Sequence, residues 1–467
     1  MADLESPKGV EGAVDGSGGE PHCDAPDGQD TSRTGVDSHE PSTNGGFPSE
    51  AASTLRRLLR RGRRVFGFGP AGTSPPRIAL YSQGMIGFGH ARRNATIAHA
   101  LRHSTMRPVI MMIAEAWQAA SIPLPPGVDC VTLPGIRKRR DGTTCSRSLE
   151  VSDREIVELR ARVIRSTLDA FQPDVLIVDH QPLGAAGELA EQLLRLHKRP
   201  GVRCVLGLRD VLQDRVWADP ATTDAMRAYY HAIWVYGDPA VYDPVRELPG
   251  ADGVAARVRY TGYLDQSDRL TYAEAESRPL LSSLPPGPLA VCVVGGGRDG
   301  FALAETFIEA ALPEPMAGVL VSGPFMPDDV RQRLRAGAQT HPRKYMLDFL
   351  PDPVPLIHRA DHVIAMGGYN TVCEVLSFDK HALIVPRVDP EPEQWIRAQR
   401  MRELGLIDVL HPDRLSPEAL TDWLARDLGP RVSSRDRIDL NGLARIPELL
   451  AELLAGTRHV AVAGSGV

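Results

Sequence analysis

His90 closes the segment Tyr81-Ser-Gln-Gly-Met-Ile-Gly-Phe-Gly-His90, and the run Ala-Arg-Arg-Asn-Ala-Thr-Ile-Ala follows at once. An imidazole titrates near neutral pH, and one held at the mouth of a helix suits a general base. Gly84, Gly87 and Gly89 allow positive φ and let a ligand approach the backbone. Gly87 and Gly89, with Arg93 one turn on, make a loop that a ligand can reach. Arg92, Arg93 and Asn94, one helical turn on, reach a phosphate or an acidic acceptor, or else form a solvated helix face. A histidine base needs an orienting partner. Asp179, beside His180 at the end of the apolar run 174–179, is the expected partner, and Asp210 is a second candidate. Asp179 fits a cap on the following turn as well.

Three further segments offer groups for an anion and a sugar. In Val293-Val-Gly-Gly-Gly-Arg-Asp-Gly an apolar strand runs into Gly295, Gly296, Gly297 and Arg298, just before a helix. Backbone N–H groups there can point at a diphosphate with the help of the helix dipole. The spacing is neither G-x-G-x-x-G nor the G-K-[ST] of an NTPase loop, and a plain tight turn has the same composition. In Ala365-Met-Gly-Gly-Tyr-Asn-Thr-Val-Cys-Glu374 a strand ends in Gly367 and Gly368, and Asn370 or Thr371 caps the helix after it. Glu374 shares a face with Thr371, where a carboxylate takes both hydroxyls of a ribose or closes a capping box. In the third, the acidic loop before Trp395 places Glu393 and Gln394 in the first turn of a helix. They face sugar hydroxyls, or simply complement the helix dipole.

These segments need rigid strands behind them. Apolar β-type runs at 77–82, 108–114, 128–133, 174–179, 203–208 and 232–236 alternate with helix-period stretches at 91–103, 153–171 and 184–197. A second series has strands at 289–294, 317–322, 344–347, 362–366, 381–385 and 407–410. Its helices fall at 301–311, 327–337, 353–359, 370–377, 392–405 and 416–427. Alternation of this kind predicts parallel sheets. The expected fold class is α/β, with two doubly wound Rossmann-like domains facing a cleft and a disordered tail before them. The domains expected are a disordered acidic tail and Arg-rich segment (1–75), an N-terminal Rossmann-like domain (76–262), a second, C-terminal Rossmann-like domain (263–430), and a C-terminal helix and tail (431–467).

The chain has 467 residues and a net charge of −6. Residues 1–50 hold eleven Asp and Glu against Lys8 and Arg33, a balance of −9, so the rest carries +3 and has no nucleic-acid signature. Six scattered cysteines without a C-x-x-C pair fit reduced thiols in a cytoplasmic protein. No secretory signal and no eighteen-residue apolar run is visible. Residues 1–53 lack large apolar side chains and read as disordered. Residues 54–66 interleave six arginines with Leu55, Leu58, Leu59, Val65 and Phe66. They form either a basic amphipathic contact with the inner face of the membrane or a solvated linker.

The order of these motifs resembles the GT-B glycosyltransferases, and most closely family 28, which includes the peptidoglycan N-acetylglucosaminyltransferase. Residues 288–425 carry most of the likeness. The GGG loop, the GGxNTxxE segment and the EPEQ segment look like that family's phosphate, ribose and sugar elements, and G-F-G-H looks like its acceptor-side loop. The resemblance implies a hexosyltransferase-type enzyme that uses a nucleotide-sugar such as a UDP-sugar as co-substrate, with no cofactor. Gly295, Gly296, Gly297, Arg298, Asn370 and Thr371 would hold the diphosphate. Glu374 would hold the ribose, Glu393 and Gln394 the donor sugar. Two departures stand out: Glu393-Gln394 replaces the usual Gln-Gln, and Met366 replaces a basic residue. The acceptor is expected to be lipid-linked or a small natural product.

With no D-x-D, H-E-x-x-H or His/Cys cluster in the chain, a metal-independent inverting transfer is expected, with His90 taking the acceptor proton. The G-F-G-H-A-R-R-N string also resembles nucleotide-sugar hydrolases of nonulosonic acid biosynthesis. A hydrolase or epimerase on the same fold, or a non-catalytic nucleotide-sugar-binding protein, are therefore the alternatives.

Overall fold

The computed structural model describes residues 74–84, 89–115, 124–139, 143–212, 219–247, 253–389 and 391–463. The acidic tail, the Arg-rich segment 54–66 and Gly87 lie outside the described residues.

Among the described residues the first half has nine strands: β1 (Arg77–Tyr81), β2 (Val109–Glu115), β3 (Val128–Leu133), β4 (Ile136–Lys138), β5 (Thr144–Ser146), β6 (Val175–Asp179), β7 (Arg203–Arg209), β8 (Ala232–Tyr236) and β9 (Val258–Tyr260). Seven form a parallel sheet in the order β3-β2-β1-β6-β7-β8-β9, while β4 and β5 make a small antiparallel hairpin. The second half contributes β10 (Leu289–Val293), β11 (Ala317–Val321), β12 (Lys344–Leu347), β13 (His362–Ala365), β14 (His381–Ile384) and β15 (Asp408–Val409). They form a parallel sheet in the order β12-β11-β10-β13-β14-β15.

Helices cover both faces of each sheet, so inner strands are apolar on both sides. In β1, Ile78 and Leu80 join one hydrophobic cluster and Ala79 and Tyr81 the other. In β10, Leu289, Val291 and Val293 face one way and Ala290 and Cys292 the other. This continuous burial is why the strands read so clearly from sequence. Both sheets reverse strand order beside their first strand, at β1/β6 and at β10/β13. The carboxyl ends of strands at such switch points open a crevice where ligands bind.

Some elements differ from the expected ones. The helix expected at 184–197 starts at Ala190, because Gly184 and Gly187 take positive φ in the turn before it. A helix runs over Leu270–Ser283 despite Pro279, between the two expected series, where no element was expected. The helix Gly442–Ala463 packs on Gly89–His103, and Tyr263 N donates to Asp439 O at 2.7 Å, so this last described helix returns to the first sheet's side. Among the described residues no helix is long and apolar enough to cross a membrane.

Candidate active site

The pairing of β1 with β6, in register from Ile78↔Val175 to Tyr81↔Val178, brings two strand ends together. Asp179 is the last residue of β6, and His90 lies in the first turn of the helix that follows β1. Asn94 Nδ2 donates to Tyr81 O at 3.1 Å and fixes that helix to its strand. His90 Nδ1 lies 2.5 Å from Asp179 Oδ2. A carboxylate only accepts, so Nδ1 carries the proton and Nε2 keeps the lone pair. Arg93, one turn along, donates Nε and Nη2 to Asp179 Oδ1 at 3.0 and 2.6 Å. Gln83 Nε2 is 2.8 Å from His90 Nε2 and donates to the lone pair.

Burial lowers the His90 pKa, and Asp179 only partly restores it. Burial alone would raise the pKa of Asp179, but Arg93 and then His90 outweigh it and hold the carboxyl below its usual range. The result is a neutral imidazole over an ionised carboxylate. Asp210, the second candidate partner, is engaged elsewhere: Arg397 Nε and Nη2 bind its two oxygens at 2.7 and 2.6 Å.

The opposite wall comes from the second sheet. Past β10, Gly295 and Gly297 have φ of 61° and 85°. A β-carbon on Gly297 would collide with the carbonyl oxygen of Ser322, so the turn needs glycine there. Past β13 the helix Tyr369–Ser377 begins with Gly368 as its cap and no side-chain cap bond. It starts a residue earlier than expected, which places Asn370 inside the first turn. The Asn370 amide is thereby released for another task, and Nδ2 donates to Gly89 O at 2.9 Å across the cleft.

Glu393 and Gln394 open the helix Glu393–Glu403 and are both buried. Gln394 Oε1 accepts from Arg387 N at 3.0 Å. Glu393 is held from the other sheet by Arg209, Nη1 to Oε1 at 3.0 Å and Nη2 to Oε2 at 2.7 Å. Burial would raise the Glu393 pKa, but Arg209 leads the cations that lower it. Glu374 is buried on Arg269, Nη1 to Oε1 at 2.9 Å, and Arg269 also grips Asp352. Burial raises the Glu374 pKa despite Arg269.

A cleft of about 330 Å³ separates the walls. Gly89, His90 and Arg93 line it from the first sheet. From the second come Gly295, Gly296, Arg298 and Gly368, then Asn370, Thr371, Glu393 and Gln394. Asp179, Gly297, Gly367 and Glu374 are not in the lining and stand behind these residues. Gly367 O accepts from Arg397 Nη1 at 3.1 Å. Gln83, His180 and Arg209 also line the cleft and were not among the expected site residues. Their signal was position: each stands at the carboxyl end of a strand of the first sheet. Among the described residues, no three His, Cys, Asp or Glu side chains cluster as a metal site.

Residues 290–435 match the glycosyltransferase family 28 C-terminal domain. An uncharacterized glycosyltransferase of Methanosarcina mazei is 26% identical over 327 residues, covering 66% of this chain and 80% of that protein. The UDP-N-acetylglucosamine–N-acetylmuramyl-(pentapeptide) pyrophosphoryl-undecaprenol N-acetylglucosamine transferase of Glaesserella parasuis is 24% identical over 155 residues. That match spans 32% of this chain and 41% of the transferase. The solved structure of CalG4, the calicheamicin glycosyltransferase, superposes with a TM-score of 0.53 at 16% identity, over 82% of this chain and 99% of that one. It shares the two-domain GT-B fold.

Proposed function

We propose that this chain, a glycosyltransferase of GT-B fold and family-28 type, moves a sugar from a nucleoside-diphosphate donor to an acceptor hydroxyl, inverting the anomeric centre without a metal. The observation that carries the reading is His90, seated on buried Asp179 and facing two glycine turns that each lead into a helix. The acceptor oxygen attacks the anomeric carbon, and its proton passes to His90 Nε2. The new C–O bond forms as the bond from that carbon to the phosphate oxygen breaks, and a nucleoside diphosphate leaves. Gln83 must give up its contact with Nε2 for the acceptor to take its place. Asp179 holds the imidazole in the required tautomer and stabilises the imidazolium that forms.

Charge on the leaving diphosphate falls on the backbone amides at Gly295 and Gly296, the N-terminus of the helix Tyr369–Ser377, and Arg298. Such donors are aligned before the reaction and need no reorganisation. Glu393 and Gln394 contact the donor sugar. Glu374, buried on Arg269 behind the lining, steadies the helix Tyr369–Ser377 and does not meet the ribose directly. Glu374→Gln should then weaken UDP and its 2′,3′-dideoxy analogue alike. A lipid-linked acceptor is favoured over a small natural product by the Arg-rich segment 54–66, which would bring the enzyme to the inner face of a membrane.

The test is to incubate the pure protein with UDP-, GDP- and dTDP-sugars, with and without a panel of lipid-linked and small acceptors, and to follow diphosphate release. Release that requires an acceptor supports transfer. Rapid release without any acceptor would make the protein a hydrolase, and failure to bind any of these donors would remove the reading.

A further inference from the structure

A second imidazole stands beside the dyad with no part in the mechanism above. His180 follows Asp179 directly, and its backbone takes φ of 67°. That left-handed conformation is uncommon for any residue with a β-carbon, and Asn, Asp and His tolerate it best. It turns the chain sharply at the end of β6, so that His180 follows Asp179 into the cleft wall. The ring is only 2% exposed, yet it lines the cleft, with its centroid 5.8 Å from that of His90.

Its tautomer follows from its neighbours. His180 Nε2 is 3.1 Å from Arg209 Nη2. A guanidinium only donates, so Nε2 carries the lone pair and Nδ1 carries the hydrogen. Among the described residues that Nδ1 has no hydrogen-bond partner. A buried donor left unmet is costly, and one in a ligand cleft points to a partner that arrives with the ligand. Burial, then Arg209, His90 and Arg93, push the pKa well below the ordinary value, so the ring stays a neutral donor. The same Arg209 holds Glu393, so His180 lies between the dyad and the sugar-facing helix.

Resting on the transferase reading above, we propose that His180 is a donor-sugar-binding residue whose Nδ1–H donates to a hydroxyl oxygen of the sugar being transferred. The role is distinct from that of His90: it holds the sugar and takes no proton.

Two substitutions separate this from a role in merely holding Arg209. His180→Asn puts an amide N–H near the place of Nδ1 and tolerates the left-handed backbone, but loses Arg209. His180→Gln puts its amide near the place of Nε2, keeps Arg209 and loses the Nδ1 donor. Affinities for the nucleotide-sugar and for the bare nucleoside diphosphate are measured by calorimetry on wild type and both variants, using whichever of the UDP, GDP and dTDP pairs binds wild type. His180→Gln should lose about tenfold in affinity for the nucleotide-sugar, the worth of one net hydrogen bond, and nothing for the bare diphosphate. His180→Asn should stay within about twofold of wild type for both. The proposal is overturned if His180→Gln binds the nucleotide-sugar like wild type, if His180→Asn loses as much as His180→Gln, or if both ligands weaken together. Wild type that binds no member of any pair overturns the transferase reading itself, and this assignment with it.

Discussion

Arg397 closes on Asp210 through two hydrogen bonds, Nε to Oδ2 at 2.7 Å and Nη2 to Oδ1 at 2.6 Å, with both side chains fully buried. Asp210 follows β7 of the first half and Arg397 lies on the helix Glu393–Glu403 of the second, and Tyr263 OH adds a third bond, to Asp210 Oδ2 at 2.9 Å. Arg397 also binds Gly367 O, so the turn before the helix Tyr369–Ser377 is tied to the same pair. Removing one partner strands a charge away from water, so Arg397→Met should cost roughly 3–5 kcal/mol. Arg397→Met with Asp210→Leu should cost less than the single change. Denaturant unfolding of the variants checks both, and equal losses would mean that the pair is not the source.

The same pair makes stability depend on pH. Burial would raise the Asp210 pKa, but Arg397 overcomes it and the folded value lies below the ordinary one. A depressed carboxyl contributes stability that is complete above its unfolded pKa, about 3.9, and is lost as pH falls through the folded value. Asp179 behaves in the same way, under Arg93 and His90. Thermal unfolding should therefore be flat in this contribution from neutral pH to about 5 and drop steeply below about 4. Asp210→Asn should flatten the drop.

Much of this arrangement was legible in the chain. Buried parallel strands are apolar throughout, so their positions stood out. A histidine after one strand end and an aspartate at another could be brought together by assuming a switch point between them. Glu115, buried at the end of β2, gave no such signal, because its meaning depends on Arg147 reaching it from beyond the hairpin. Helix Leu270–Ser283 was hidden by Pro279, whose missing N–H is tolerated near the end of a helix already packed on its neighbours. The choice of ionic partners was also out of reach. Arg209 and Glu393 are 184 residues apart, and nothing local tells Glu393 from an ordinary acidic helix start.

That partnership is testable by itself. Arg209 and Glu393 are each largely buried and bind through two oxygens, so their coupling should exceed that of a surface pair. A double-mutant cycle with Arg209→Met and Glu393→Gln should return about 1–3 kcal/mol. Glu393→Gln alone also tests sugar choice, since it restores the Gln-Gln pairing of the resembling family. It should shift the ranking of donor sugars while leaving the bare diphosphate bound as before, and an unchanged ranking would remove Glu393 from the sugar site.

The glycine turn past β10 separates two kinds of constraint. Gly295 has φ of 61° but open space where a β-carbon would stand, so Gly295→Ala should cost only the backbone strain, about 1–2 kcal/mol. Gly297 has φ of 85° and meets the Ser322 carbonyl, so Gly297→Ala must move the loop. Diphosphate affinity should fall severalfold for Gly295→Ala and more than a hundredfold for Gly297→Ala, read by calorimetry on protein whose folding is checked by circular dichroism. Equal effects would mean that the amides of this turn do not meet the phosphates.

The dyad makes the sharpest demand on the pH profile. A base works only in its neutral form, so kcat/KM should fall as pH drops through the folded pKa of His90. Burial sets that pKa below 6.5, and the acidic limb should lie below 6.5 with it. Asp179→Asn takes away the charge that supports the imidazolium and leaves Arg93 unneutralised beside the ring. Its limb should move further down in pH, while the plateau falls by about 10³–10⁴, the scale seen when an orienting carboxylate is lost. His90→Ala should abolish the limb altogether. A profile for Asp179→Asn whose limb stays in place, or climbs, would show that the titrating group is not the imidazole on Asp179.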